Sequence, residues 1–62
     1  AMVWLKSFKG YEDELDDLDR RVNDWIRDAH AEVVDVEVTM AFQPGQKSGD
    51  VIYTVLFKRA GA

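Results

Sequence analysis

The clearest pattern in the chain is a helical one. Between Tyr11 and His30, apolar residues recur at steps of three and four, the spacing of one face of an α-helix. We predict that Gly10 is the N-cap, because the acidic residues that follow it would meet the positive end of the helix dipole. The helix is predicted to end near His30, where the period changes. Its apolar stripe consists of Tyr11, Leu15, Leu18, Val22, Trp25, Ile26 and Ala29.

Three other segments alternate with the two-residue period of β-strands. They cover residues 2–9, 33–42 and 51–58. In the second segment, one face is predicted to carry Val34, Val36, Val38, Met40 and Phe42. In the third, the outer face is predicted to carry Ile52, Thr54, Leu56 and Lys58.

The first strand can be assigned to the sheet in two ways, since a shift of one residue exchanges its faces. We expect Val3 and Leu5 to lie beneath the helix, because aliphatic side chains of this size suit a thin core. Trp4 and Phe8 would then lie on the outer face.

The order of elements predicts an α+β fold of β-α-β-β type, in one domain over residues 1–62. One amphipathic helix would pack on one face of a three-stranded, mainly antiparallel sheet. We favour the spatial strand order 2-3-1 over 3-2-1; in the latter, a right-handed crossover would join parallel first and second strands. Pro44 and Gly45 predict a type II turn at the start of the hairpin loop.

Composition narrows the class of protein. The 62 residues include no cysteine, which excludes disulfides and thiolate metal sites. A chain this short commonly needs a partner to complete its core. No apolar run approaches the ~20 residues of a membrane span, and we expect a cytoplasmic protein with no membrane association. The net charge of −4 argues against nucleic acid as a partner.

Residues for catalysis are scarce. The chain has one histidine, His30, and two serines, Ser7 and Ser48, which do not form a nucleophile with an activating base. The acidic residues of the helix would present oxygens from one side only, which does not enclose a metal ion. We therefore predict no enzyme activity, no cofactor and no metal site.

A sheet covered by one helix has a second face left open. On the assignment above, this outer face carries large apolar residues that a monomer rarely exposes. We therefore predict a non-enzymatic interaction module that forms a homo-oligomer, with another protein as a possible partner. The predicted interface residues are Trp4, Lys6, Phe8, Ile52, Leu56 and Lys58.

Two family resemblances accompany this interpretation. Three segments resemble small sporulation-linked and phage-borne proteins of Gram-positive bacteria, a likeness that implies a β-α-β-β fold and no particular mechanism. These segments are Val22-Asn23-Asp24-Trp25-Ile26, Glu32-Val33-Val34-Asp35-Val36 and Tyr53-Thr54-Val55-Leu56.

The chain also resembles dodecin, a flavin-storing β-α-β-β protein, at Glu32-Val33-Val34 and at Tyr53 with Val55. That resemblance implies an oligomeric carrier of a flavin-type molecule, which is the alternative function. Dodecins have a tryptophan before the Glu-Val-Val segment and a glutamine after the tyrosine. In place of the tryptophan this chain has Ala29, His30 and Ala31, and in place of the glutamine it has Thr54. We therefore expect no flavin binding.

A third alternative is a regulator that binds nucleic acid. Its basic side chains would be Lys6, Lys58 and Arg59, near the ends of the first and third predicted strands. The acidic net charge makes this alternative the least favoured.

Overall fold

The computed structural model describes residues 2–59, which form one sheet and one helix. Strand β1 covers Trp4–Tyr11 and is followed by a short 3-10 turn at Glu12–Glu14. Helix α1 covers Leu15–Ala29. Strands β2 and β3 cover Ala31–Ala41 and Asp50–Arg59. The β-α-β-β order and the α+β class predicted from the sequence are confirmed.

The sheet has the order β1-β3-β2, and both neighbouring pairs are antiparallel. This is the favoured spatial order, since β3 lies between the other two strands. The hairpin loop begins with the predicted turn: the Gln46 N–H donates to the Gln43 carbonyl at 3.1 Å. Gly45 has φ +86°, which the third residue of a type II turn requires.

The core lies between α1 and the central strand β3. Two helix residues, Leu18 and Val22, are buried together with alternate residues of β3. Alternation sends those β3 residues to one face of the sheet, which we call the helix face; the other is the open face. The β3 residues of the core are Val51, Val55 and Phe57.

The assignment of the two faces of β1 was wrong. Directly opposed residues in an antiparallel pair share a face, and Trp4 lies opposite Phe57, whereas Leu5 lies opposite Leu56. Trp4, Lys6 and Phe8 therefore lie on the helix face. Leu5 lies on the open face and is 67% exposed; Val3, which precedes β1, is exposed as well.

The predicted start of the helix was also wrong. Gly10 is not an N-cap; it is a buried β1 residue opposite Val51, and the strand continues to Tyr11. The acidic residues of the predicted first turn form the 3-10 turn instead, and Glu14 is the N-cap of α1. A helix beginning at Tyr11, with Gly10 as its N-cap, would remove both residues from β1, and the sheet would lose their pairing with β3.

A β-bulge changes the faces of β2. Val33 lies opposite Phe57 and Val36 lies opposite Val55, so Val34 and Asp35 together face Leu56. As a result, Val33 joins the helix face and Val34 leaves it, contrary to the strict alternation predicted. Beyond the bulge, Val36, Val38 and Met40 share one face as predicted.

The molecule is more extended than its size requires. Its radius of gyration is 13.2 Å and its extents are 45 × 19 × 11 Å, while a compact domain of this length would have a radius of about 11 Å. The accessible surface of 4654 Å² also exceeds the roughly 4,100 Å² expected of a folded monomer of this mass. Much apolar surface therefore remains exposed to solvent.

Candidate interaction surface

A row of exposed apolar side chains lies on β2. The helix covers the helix face of β3, with Phe8 of β1 and Ala31 of β2 packed at the edge of the core, but it leaves the rest of the same face of β2 exposed. The exposed fraction there ranges from 40% at Val33 to 59% at Val38. We call this row the β2 stripe; it consists of Val33, Val36, Val38 and Met40.

Strand β2 is also an edge of the sheet, and within residues 2–59 it has a neighbour on one side only. Natural proteins commonly protect such edges with lysine, proline or a bulge. The 11 residues of β2 contain no lysine, arginine or proline. Its bulge at Val34 and Asp35 interrupts one end, and the regular edge continues from Val36 to Ala41.

The other edge strand, β1, is better protected. It carries Lys6 and Lys9. Arg21 of the helix reaches over the strand and donates a hydrogen bond to the Lys9 carbonyl at 3.0 Å. The Lys9 side chain in turn pairs with Asp50 at 3.5 Å. The two edges therefore differ: β1 is occupied by side chains of its own chain, and β2 is open.

The open face carries three of the predicted interface residues, Ile52, Leu56 and Lys58. Their outward placement is confirmed, because they alternate with the buried residues of β3. Leu5 and Val34 lie on either side of Leu56 on this face, and Glu32 lies opposite Lys58. This face lacks the continuous aromatic surface that the sequence interpretation placed there.

The other three predicted interface residues, Trp4, Lys6 and Phe8, lie across the sheet on the helix face. Phe8 packs edge-to-face on Trp25, with ring centroids 5.7 Å apart. Trp25 packs in the same way on Phe57 at 4.8 Å. The Lys6 ammonium lies 5.7 Å from the centroid of the Phe8 ring. Phe8 is thus a core-edge residue, and the predicted set is divided between two faces.

The three basic residues considered for nucleic acid are separated in the same way. Arg59 lies over the ring of Trp4, 4.9 Å from its centroid, and Lys6 is on the same face of the sheet. Lys58 points to the open face, opposite Glu32. The fold does not bring the three charges into one patch.

One titratable group on the helix face is perturbed. The Asp19 carboxylate beside the Tyr53 hydroxyl raises the pKa of that tyrosine, first through the hydrogen bond it accepts and then, with burial, through its negative charge. The neutral phenol is therefore favoured.

Metal sites and membrane helices are absent from the part of the chain that the structure describes. Among residues 2–59, no group of three or more potential ligand side chains could hold a metal ion. No helix in that range is long and apolar enough to cross a membrane.

The exposed side of α1 has local ion pairs: Asp17 lies 3.7 Å from Arg20 and 3.3 Å from Arg21. Such exposed pairs contribute little to stability.

Searches against protein family models, curated proteins and solved structures found no match to this chain.

The β2 stripe was not among the predicted interface residues. Its apolar alternation is visible in the sequence, but alternation alone indicates a buried face as readily as an exposed one. The exposure of these side chains in the folded chain, 40–59%, decides the matter.

Proposed function

We propose that this chain is a small non-enzymatic interaction module that associates with copies of itself. The observation that carries the proposal is the β2 stripe, a row of apolar side chains left exposed on the face of the sheet that contains the core. Contiguous apolar surface of this kind usually marks an interaction site. A protein partner of other sequence is the alternative occupant.

The small core supports the same proposal. Five residues are buried as a hydrophobic cluster, and two of them, Leu18 and Val55, are fully enclosed. A domain of this size has little stability to spare. Removing the β2 stripe from water would add apolar burial directly beside the existing core, at ~25 cal/mol for each Å² covered.

The test is the molar mass in solution of wild type and two matched variants, measured by light scattering after size-exclusion chromatography. Val38→Lys places a charge in the β2 stripe. Val34→Lys places the same charge on the same strand but on the open face, at a similar exposure of 53% against 59%. We expect wild type and Val34→Lys to associate at tens of micromolar and Val38→Lys to be monomeric.

A wild-type protein that scatters as a monomer at that concentration would contradict the proposal. Loss of association in both variants alike would show that the contact is not confined to the stripe. Circular dichroism of the Val38→Lys monomer would establish that the helix and sheet persist.

A further inference from the structure

We infer that two copies of this chain pair through their β2 edges, antiparallel and about a two-fold axis, with Val38 of one copy opposite Val38 of the other. This inference rests on the proposed self-association and specifies its geometry. The result would be a continuous six-stranded sheet with both helices on the same face.

The choice of edge follows from the contrast between β1 and β2. The β1 edge has two lysines, and Arg21 occupies the Lys9 carbonyl. Pairing of β1 with β2 of another copy would also place the Lys6 ammonium beside the β2 stripe, since both lie on the helix face. A charge next to apolar side chains opposes that arrangement. The β2 edge has neither obstacle.

The regular part of the β2 edge defines where the axis can pass. On one side it is limited by the bulge, where the Asp35 carboxylate accepts the Val36 N–H at 2.9 Å. On the other side β2 ends at Ala41, and the ring of the next residue, Phe42, lies against Gly49. The segment between these limits, 36–41, is centred between Val38 and Thr39. Of these two, only an axis at Val38 pairs the stripe residues Val36, Val38 and Met40 among themselves; an axis at Thr39 would set Val36 against Phe42, outside the strand.

Charge and face then select the register. Opposed residues of two antiparallel strands lie on the same face of the sheet. The helices of both copies therefore lie on the same side of the joint sheet if the numbers of two opposed residues add up to an even number. An axis at Glu37 would set two carboxylates directly against each other, which is destabilising. An axis at Val38 instead places Glu37 opposite Thr39 of the other copy.

The same register joins the two stripes. Val36 of each copy lies opposite Met40 of the other, and the two Val38 side chains meet at the axis. Cross-strand apolar pairs of this kind are the contacts that stabilise antiparallel sheets. The open backbone groups of both edges find partners at the same time.

Because the chain has no cysteine, one introduced cysteine reports the register without background. Val38→Cys would place the two Cα atoms about 4.5–5.5 Å apart across the axis, within the disulfide range of ~4.4–6.8 Å. Val36→Cys is the matched control, on the same strand and face. Its two copies would be offset by four residues, or about 13 Å along the strand.

The experiment is mild oxidation of both variants at the concentration where wild type associates, followed by non-reducing electrophoresis and mass spectrometry. We expect most of the Val38→Cys protein to form a disulfide dimer that a reductant separates. We expect at least fivefold less dimer from Val36→Cys.

A dimer from Val36→Cys and not from Val38→Cys would overturn the inference. If wild type associates but neither variant crosslinks, the copies meet elsewhere; the edge-pairing inference then fails while the proposed self-association stands. A monomeric wild type would overturn both.

Discussion

At the scale of single residues, Gly10 shows how closely β1 approaches the helix. A Cβ atom at this position would lie 3.0–3.2 Å from three side-chain atoms of Leu18. Leu18 has no exposed surface, so it has little room to move. The absence of a side chain at Gly10 allows the end of β1 to pass beneath α1.

Gly10→Ala should therefore destabilise the protein. Overpacking a well-filled core typically costs about 1–3 kcal/mol, which outweighs the ~0.5–1 kcal/mol that alanine usually gains over glycine within a strand. Chemical denaturation followed by circular dichroism measures the difference. Ser7→Ala, an exposed change on the same strand, is the control; stability equal in the two variants would contradict this packing.

At the scale of elements, α1 ends in a conformation that its terminal residue does not favour. His30 is the C-cap, with φ 51° and ψ 42°, and its N–H donates to the carbonyls of Ile26 and Arg27. This left-handed conformation ends the helix and turns the chain directly into β2. For a residue with a side chain it costs roughly 1–2 kcal/mol.

His30→Gly should raise the free energy of unfolding by about 0.5–1 kcal/mol, because glycine adopts this conformation without a steric penalty but loses more entropy on folding. His30→Ala keeps the penalty and should give no gain. Thermal denaturation at one fixed protein concentration compares them. A glycine variant no more stable than the alanine variant would argue against strain at the helix end.

The elements themselves could largely be predicted from their periods. The helical stripe from Leu15 to Ala29 and the two strands of the hairpin follow from local spacing, and turn chemistry at Gly45 predicted the turn. The faces of β1 could not be predicted this way, since Trp4 and Leu5 are both apolar and only pairing with Phe57 and Leu56 separates them.

The bulge in β2 was equally hidden from a local reading. Val33 and Val34 are chemically identical and would lie on different faces of any strand. The backbone irregularity between Val33 and Asp35 decides that Val33, and not Val34, shares the helix face with Val36. The start of the helix was mispredicted for a related reason. Pairing of Gly10 with Val51 is a long-range contact, and it overrides the local preference of glycine for a helix cap.

At the scale of the whole molecule, stability depends on few side chains. Leu18 contacts the core of β3 and limits the space at Gly10. Leu15, one turn earlier on the same helix, is partly exposed. Truncating each leucine in turn compares the stability that a fully buried side chain contributes with that of a partly exposed one.

Leu18→Ala should cost about 2–5 kcal/mol, through lost transfer free energy and the cavity left behind. That is a large share of the stability of a small domain, so we expect substantial unfolding at room temperature by near-ultraviolet circular dichroism. Leu15→Ala should remain folded. A thermal midpoint for Leu18→Ala within a few degrees of wild type would mean that α1 packs through another face.

The pairing of β1 with β3 also determines when the chain can fold during its synthesis. Trp4 leaves the ribosome well before its partner Phe57, because 52 residues separate the two. The apolar face of the helix also stays unburied at first, because the β3 residues that bury Leu18 and Val22 are made after it. Non-local pairing of this kind slows folding. The nascent chain therefore exposes its amphipathic helix and the apolar strand β2 until β3 has emerged, and the sheet then closes around β3, the last of its three strands to be made.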